Sequence, residues 1–180
     1  MMSDADANSD DTRTPTAATE NGVVLTRLLE EAVGSDLAEL DGNTTLTERG
    51  DTPNPAARVV DSVAKDAWIV GVIPRVEPSI ARGFAGTVDG EVRLVFTGSA
   101  GDRLLKPSGA PLRAVLTNHD VEASVHDGDS PVGVLLVGEC ALVGLFDADG
   151  LAAVLVSDSP AVREWAAATC QRYVNAAEPV

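Results

Sequence analysis

The chain has 180 residues, 44% apolar but only 3% aromatic, so a single domain can fill a core, chiefly with Ala, Val and Leu. Its 28 acidic and 13 basic side chains leave a net charge of −15. No apolar run approaches the ~18 residues that cross a bilayer, the N-terminus lacks the pattern of a secretory signal, and two cysteines, Cys140 and Cys170, cannot make a disulfide scaffold.

Residues 1–22 are mostly Ser, Thr, Asp and Ala, with almost no large apolar side chain. Such a segment cannot offset its ordering entropy and is expected to be a disordered acidic tail. Over residues 23–40, Leu25, Leu28, Leu29, Ala32 and Val33 recur at helical spacing, with Gly34 ending or interrupting the helix. Residues 41–53, rich in Thr, Gly and Asp, read as a linker. The compact domain is expected over residues 54–180. Asn54 suits a helix N-cap and Pro55 the first helical position, and Val59, Val60, Val63 and Ala67 form a stripe behind them. Residues 68–73 are a short apolar run, as in a strand buried on both faces, and Pro74 stops it. Pro78 opens a helix through Ile80 to Phe84. Val92, Leu94 and Phe96 alternate in a second strand, and residues 112–116 predict a short helix. Alternating helix and strand suits a parallel layer.

The second half changes character. Residues 121–125 predict a strand, and Asp127-Gly128-Asp129 is turn chemistry closed by Pro131. Residues 132–137 and 140–146 are apolar strands joined at Gly138-Glu139 in a hairpin. Asp147 to Gly150 form another turn, before a strand over 151–156. Ser159 and Pro160 repeat the helix-start signal, and Val162, Trp165, Ala166, Thr169 and Tyr173 share one face of the last helix. The fold class expected is α/β: a mixed sheet of about six strands, parallel in the first half and an antiparallel meander in the second, flanked by helices.

The acidity is spread over both the first 22 residues and the body, lysine is nearly absent (Lys65 and Lys106), and Asp outnumbers Glu. That is the look of a cytoplasmic protein from a high-salt organism, where screening shortens like-charge repulsion. No window is basic enough to displace counterions from phosphates, so direct nucleic-acid binding by this chain alone is not expected.

Candidate chemistry is sparse. His119 and His126 are the only histidines, and neither begins the His-x-Lys pair that a phospholipase D-type phosphodiesterase needs. His126, Asp127 and Asp129 offer metal-ligand types on one turn, but three adjacent ligands seldom complete a site, so no metal is assigned. Asp147 to Gly150 lacks the spacing of a calcium loop. Cys140 and Cys170 read as small buried hydrophobes. No Gly-x-Ser-x-Gly elbow or Walker-type Lys-Ser/Thr pair is present. Trp68 and Trp165 stand out in so aromatic-poor a chain. Core packing is the default for both, with Trp68 also a candidate to line a ligand pocket.

The run from Glu122 through His126-Asp-Gly-Asp129 to Pro131, then Gly144-Leu-Phe-Asp-Ala-Asp-Gly150, then Ser157 to Trp165 and Tyr173, resembles one archaeal family. It is similar to the effector, or middle, domain of methanogenesis-regulatory-type winged helix-turn-helix transcriptional regulators, many of them haloarchaeal. The likeness spans about residues 54–177. It implies a sensing or dimerising role, with DNA contact left to a winged helix. Residues 23–53 are too short for that module, so an effector domain without its DNA-binding part is expected.

The resulting expectation is a non-enzymatic regulatory domain with no catalytic residues and no cofactor. It would bind a small-molecule effector where His126, Asp127 and Asp129 meet the strand ends, with Trp68 as a further candidate. Its partners would be a second copy of itself or a separate DNA-binding protein, and neither nucleic acid nor membrane. The alternatives are a degenerate phosphodiesterase or metal-dependent hydrolase at His126, and a purely structural dimerisation module using the helix over 23–40.

Overall fold

A computed structural model describes residues 19–63 and 67–180. Residues 1–18 of the expected tail, and Lys65, lie outside the described residues. No helix among the described residues is long and apolar enough to cross a membrane.

Eight strands form one mixed sheet: β1 (Thr44–Glu48), β2 (Ile69–Ile73), β3 (Val92–Phe96), β4 (Glu122–Val125), β5 (Gly133–Val137), β6 (Cys140–Asp147), β7 (Gly150–Ser157) and β8 (Glu178–Pro179). Their order across the sheet is β1-β7-β6-β5-β2-β3-β4-β8. β2, β3 and β4 run parallel, and every other pairing is antiparallel. The expected mixed α/β architecture is therefore present, with eight strands rather than about six. β4 belongs to the parallel part, not to the meander.

Six α-helices among the described residues cover the sheet: α1 (Glu20–Val33), α2 (Pro55–Asp61), α3 (Pro78–Ala85), α4 (Gly98–Leu105), α5 (Ala110–Asn118) and α6 (Pro160–Ala176). Strand alternation divides the core in two. One apolar cluster holds Ile69, Leu94, Phe96, Leu135 and Leu142 against Val59 of α2, Leu104 of α4 and Leu116 of α5. The other holds Val72, Val134, Leu136, Val143 and Leu155 against Leu25 and Leu29 of α1 and Val162, Ala166 and Cys170 of α6.

Besides β4 and the unexpected β8, three elements differ from the sequence expectation. The first helix begins at Glu20, because Thr19 caps it and its N–H and hydroxyl both donate to the Glu48 carboxylate. The stretch read as a linker carries β1, an edge strand paired along its length with β7. Its Thr-rich composition hid it, since Thr suits both turns and the half-exposed edge of a sheet. α4 was not foreseen because Gly98 and Gly101 disguise it. A Cβ at Gly101 would fit tightly, 3.2 Å from both the Phe96 carbonyl oxygen and the Val125 side chain. Asn54 and Pro55 act as expected, Asn54 Oδ1 accepting from the Ala57 N–H at 2.9 Å. Ser159 precedes α6 but makes no side-chain cap, and its buried hydroxyl has no partner among the described residues.

Candidate functional site

The expected site lies at the carboxyl end of β4. The His126 N–H donates to the Phe96 carbonyl at 3.0 Å, which carries the chain one residue past the ladder. By alternation the imidazole falls on the α6 face. Its ring meets Tyr173 of α6 edge-on, with centroids 4.9 Å apart. Nδ1 accepts the Gly128 N–H at 2.8 Å, so Nε2 carries the ring proton of the neutral form. Tyr173 donates its hydroxyl hydrogen to the Asp129 carbonyl at 3.2 Å. The Asp129 carboxylate accepts the Ser130 N–H and rests against Gly98, where a Cβ would come within 2.4 Å of it. Gly98, at φ +51°, starts α4 and donates to the Gly128 carbonyl. Thr97 before it is fully buried, and its hydroxyl has no partner among the described residues.

This corner joins the turn, α4 and α6. His126 is half-buried, while Asp127 and Asp129 are exposed. Among the described residues, no three His, Cys, Asp or Glu side chains converge as metal ligands would. Trp68 is not part of it. It precedes β2, at the opposite end of the parallel strands, where it is 48% exposed and its carbonyl accepts from Gly138. The structure thus brings His126 and Asp129 together and leaves Trp68 apart from them.

Sequence reasoning missed a cavity on the other face of the sheet, between β2, β3, β5, β6 and helices α2, α3 and α5. It holds about 140 Å³ of open space, and its wall is almost wholly apolar. All three phenylalanines of the chain, Phe84, Phe96 and Phe146, line it. Two facing glycines make room in the floor: Gly133 of β5 pairs with Gly144 of β6, and the Phe146 ring and Leu151 lie over them. A register shift between β6 and β7 turns Leu151 to this side: Leu145 pairs with Ala153 but Phe146 with Leu151, leaving Ala152 as the extra residue. α3 forms the cover, with Ile80, Ala81, Phe84 and Ala85 on one stripe, and none of its residues is fully buried.

Charged groups stand at one mouth. Arg75 donates to the Asp147 carbonyl, and Glu77 accepts the Leu151 N–H at 3.3 Å. Asp147 pairs with Arg49 of the loop after β1 through two hydrogen bonds of 2.7 and 2.9 Å. The Arg49 hydrogen bond, helped by the Asp149 N–H, holds the Asp147 carboxyl down at about 2. None of His126, Asp127, Asp129 or Trp68 borders the cavity; His119 does, at the far end from Arg75.

A model of the family described as the methanogenesis regulatory protein FilR1, middle domain, matches residues 53–176. This chain belongs to that family. α1 and β1 precede the matched residues, yet β1 is part of the same sheet. A search of curated proteins by sequence found no match. Among solved structures, the chain is similar to Nuc, a phospholipase D family member from Salmonella typhimurium, at 14% identity and a TM-score of 0.59, over 78% of this chain and 99% of that one. It is similar to NucT from Helicobacter pylori at 8% identity and a TM-score of 0.55, over 78% of this chain and 100% of that one. It also matches TrmBL2, described as an archaeal chromatin protein with a novel mode of DNA binding, at 13% identity and a TM-score of 0.53; 86% of this chain matches 60% of that one.

These likenesses correct one expectation. The chain was expected to be no enzyme, on its family resemblance and on the absence of a catalytic constellation such as a His-x-Lys pair. Its fold is nevertheless shared with a phospholipase D family member and with a polyphosphate kinase from Porphyromonas gingivalis, at 14% identity, a TM-score of 0.55 and coverage of 87% of this chain and 30% of that one. The physical reason is that apolar patterning and turns set the fold, and a missing catalytic pair leaves both intact. At such identities the likeness establishes the fold and no reaction.

Proposed function

We propose that this chain is a regulatory domain of the transcriptional-regulator type that senses a small-molecule effector and passes the signal to a DNA-reading partner. Family membership supports regulation. The observation that carries sensing is the cavity, which gathers every phenylalanine of an aromatic-poor chain around open space instead of closing over it. Effector pockets have this make-up, an apolar wall with a few polar groups at the mouth.

The His126 corner then has a relaying role. Phe96 lines the cavity with its side chain and holds the His126 N–H with its carbonyl, and His126 in turn packs on Tyr173 of α6. A ligand that moves Phe96 therefore bears on α6 at the opposite face of the sheet. The partner is a second copy of the chain or a separate DNA-binding protein. At net −15 the chain itself is a poor ligand for phosphate backbones. A thermal-shift screen of metabolites and nucleotides in molar KCl, followed by light scattering and co-purification, tests this reading. A ligand that raises the Tm and changes the oligomeric state or partner retention is expected. No shift with any compound, together with no partner, overturns it.

A second reading rests on the fold shared with the phospholipase D family and on His126 at the carboxyl end of a parallel strand. In it, His126 is the reacting base or nucleophile of a phosphodiesterase. Hydrolysis of bis(4-nitrophenyl) phosphate that disappears in His126→Ala would establish it, and indifference to that substitution would remove it.

A further inference from the structure

We infer that the cavity under α3 binds an uncharged apolar molecule the size of a single aromatic ring or a short branched hydrocarbon chain. This deepens the sensing reading and rests on it only for the consequence of binding, not for the binding itself.

Size sets the first limit. Ordinary pockets for drug-sized ligands measure about 300–1,000 Å³, whereas a dry apolar cavity of about 150 Å³ accepts benzene. The space here is about 140 Å³. Chemistry sets the second. Both charged side chains at the near mouth are already engaged with backbone groups, Arg75 with the Asp147 carbonyl and Glu77 with the Leu151 N–H. Both stand at the rim, and the interior has almost no polar group to hold a charged head. An anion would lose its hydration there without replacement. Access sets the third. α3 is the only α-helix among the described residues that has no fully buried residue. It leans on α2 through Gly83, where a Cβ would strike Val60 at 2.5 Å. Beside that contact Ile80 and Phe84 rest on the core, but the cover has no fully buried anchor and can move aside to admit a ligand.

Toluene is the probe and benzoate its charged counterpart, tested on the full chain in molar KCl. Ala81→Leu and Ala85→Leu fill the space from α3 at half-buried helical positions, where leucine costs little helix propensity. Toluene at ten times its Kd is expected to raise the Tm of the wild-type chain by about 3–5 °C. It should do so in neither variant, and benzoate should have at least tenfold weaker effect. Saturation-transfer NMR on the wild-type chain reads binding directly should both variants fold poorly. Benzoate binding as tightly as toluene overturns the apolar assignment. An equal toluene shift in the variants places binding elsewhere and overturns the site, as does no toluene signal by either method. Toluene that binds here yet leaves oligomeric state and partner retention unchanged supports the site and removes the sensing reading.

Discussion

At Thr97 a hydroxyl with no partner among the described residues is buried in the carboxyl-terminal corner of the parallel strands. A buried hydroxyl without a hydrogen bond costs about 1–3 kcal/mol, while replacing it by a methyl of the same shape removes that cost. Thr97→Val is therefore expected to raise stability by about 1 kcal/mol in urea unfolding; a loss of stability would show that the hydroxyl is satisfied by water. Cys170 illustrates the opposite case of an apolar assignment that the structure matches. It is buried in α6 against β2, and burial pushes its thiol up to about 12. Both residues share the inner face of the sheet with α6. Only Cys170 looked like a core residue in the sequence, because a threonine's burial depends on what folds over it.

At the scale of elements, the hairpin of β6 and β7 is tied to the loop after β1 by Arg49 and Asp147. The Asp147 carboxyl is more acidic in the fold than its ordinary value of 3.8, first through the Arg49 hydrogen bond and then through the Asp149 N–H. A carboxyl with a lowered folded pKa supports the fold above its unfolded value and loses that support as pH falls through the folded one. The contribution should be complete above about 4 and vanish towards about 2. Asp147→Asn should lower the Tm at neutral pH and flatten the acid limb between those values. An unchanged acid limb would show that the pair is fully screened. The hairpins and the helix starts at Asn54 and Pro78 were legible, because turn residues and caps act locally. β1 was not, because an edge strand is defined by a partner, here β7, more than a hundred residues away in the chain.

For the whole molecule, the charge of −15 is shared between the first 22 residues and a body with few ion pairs among the described residues, Arg49 with Asp147 and Arg93 with Glu91 and Glu122. Self-repulsion on that scale should fall with ionic strength, since the Debye length drops from about 10 Å at 0.1 M to about 3 Å at 1 M. The expected outcome is a Tm that climbs steadily from 0.1 M to 2 M KCl. A flat or falling Tm would count against adaptation to a salty cytoplasm.

The sequence by itself determined the α/β class, the antiparallel hairpins of β5, β6 and β7 and the lack of an apolar run long enough to cross a bilayer, since periodicity and turn chemistry are local properties. It also put His126 and Asp129 on one turn. Only the tertiary structure decided that Trp68 lies at the other end of the strands, and that Gly133 faces Gly144. It alone brought Phe84, Phe96 and Phe146 around a single cavity. Those three are far apart in the chain and reach one wall only through strand order, register and the shift that turns Leu151 inward. Each of these is set by pairing between distant segments, which no local pattern records.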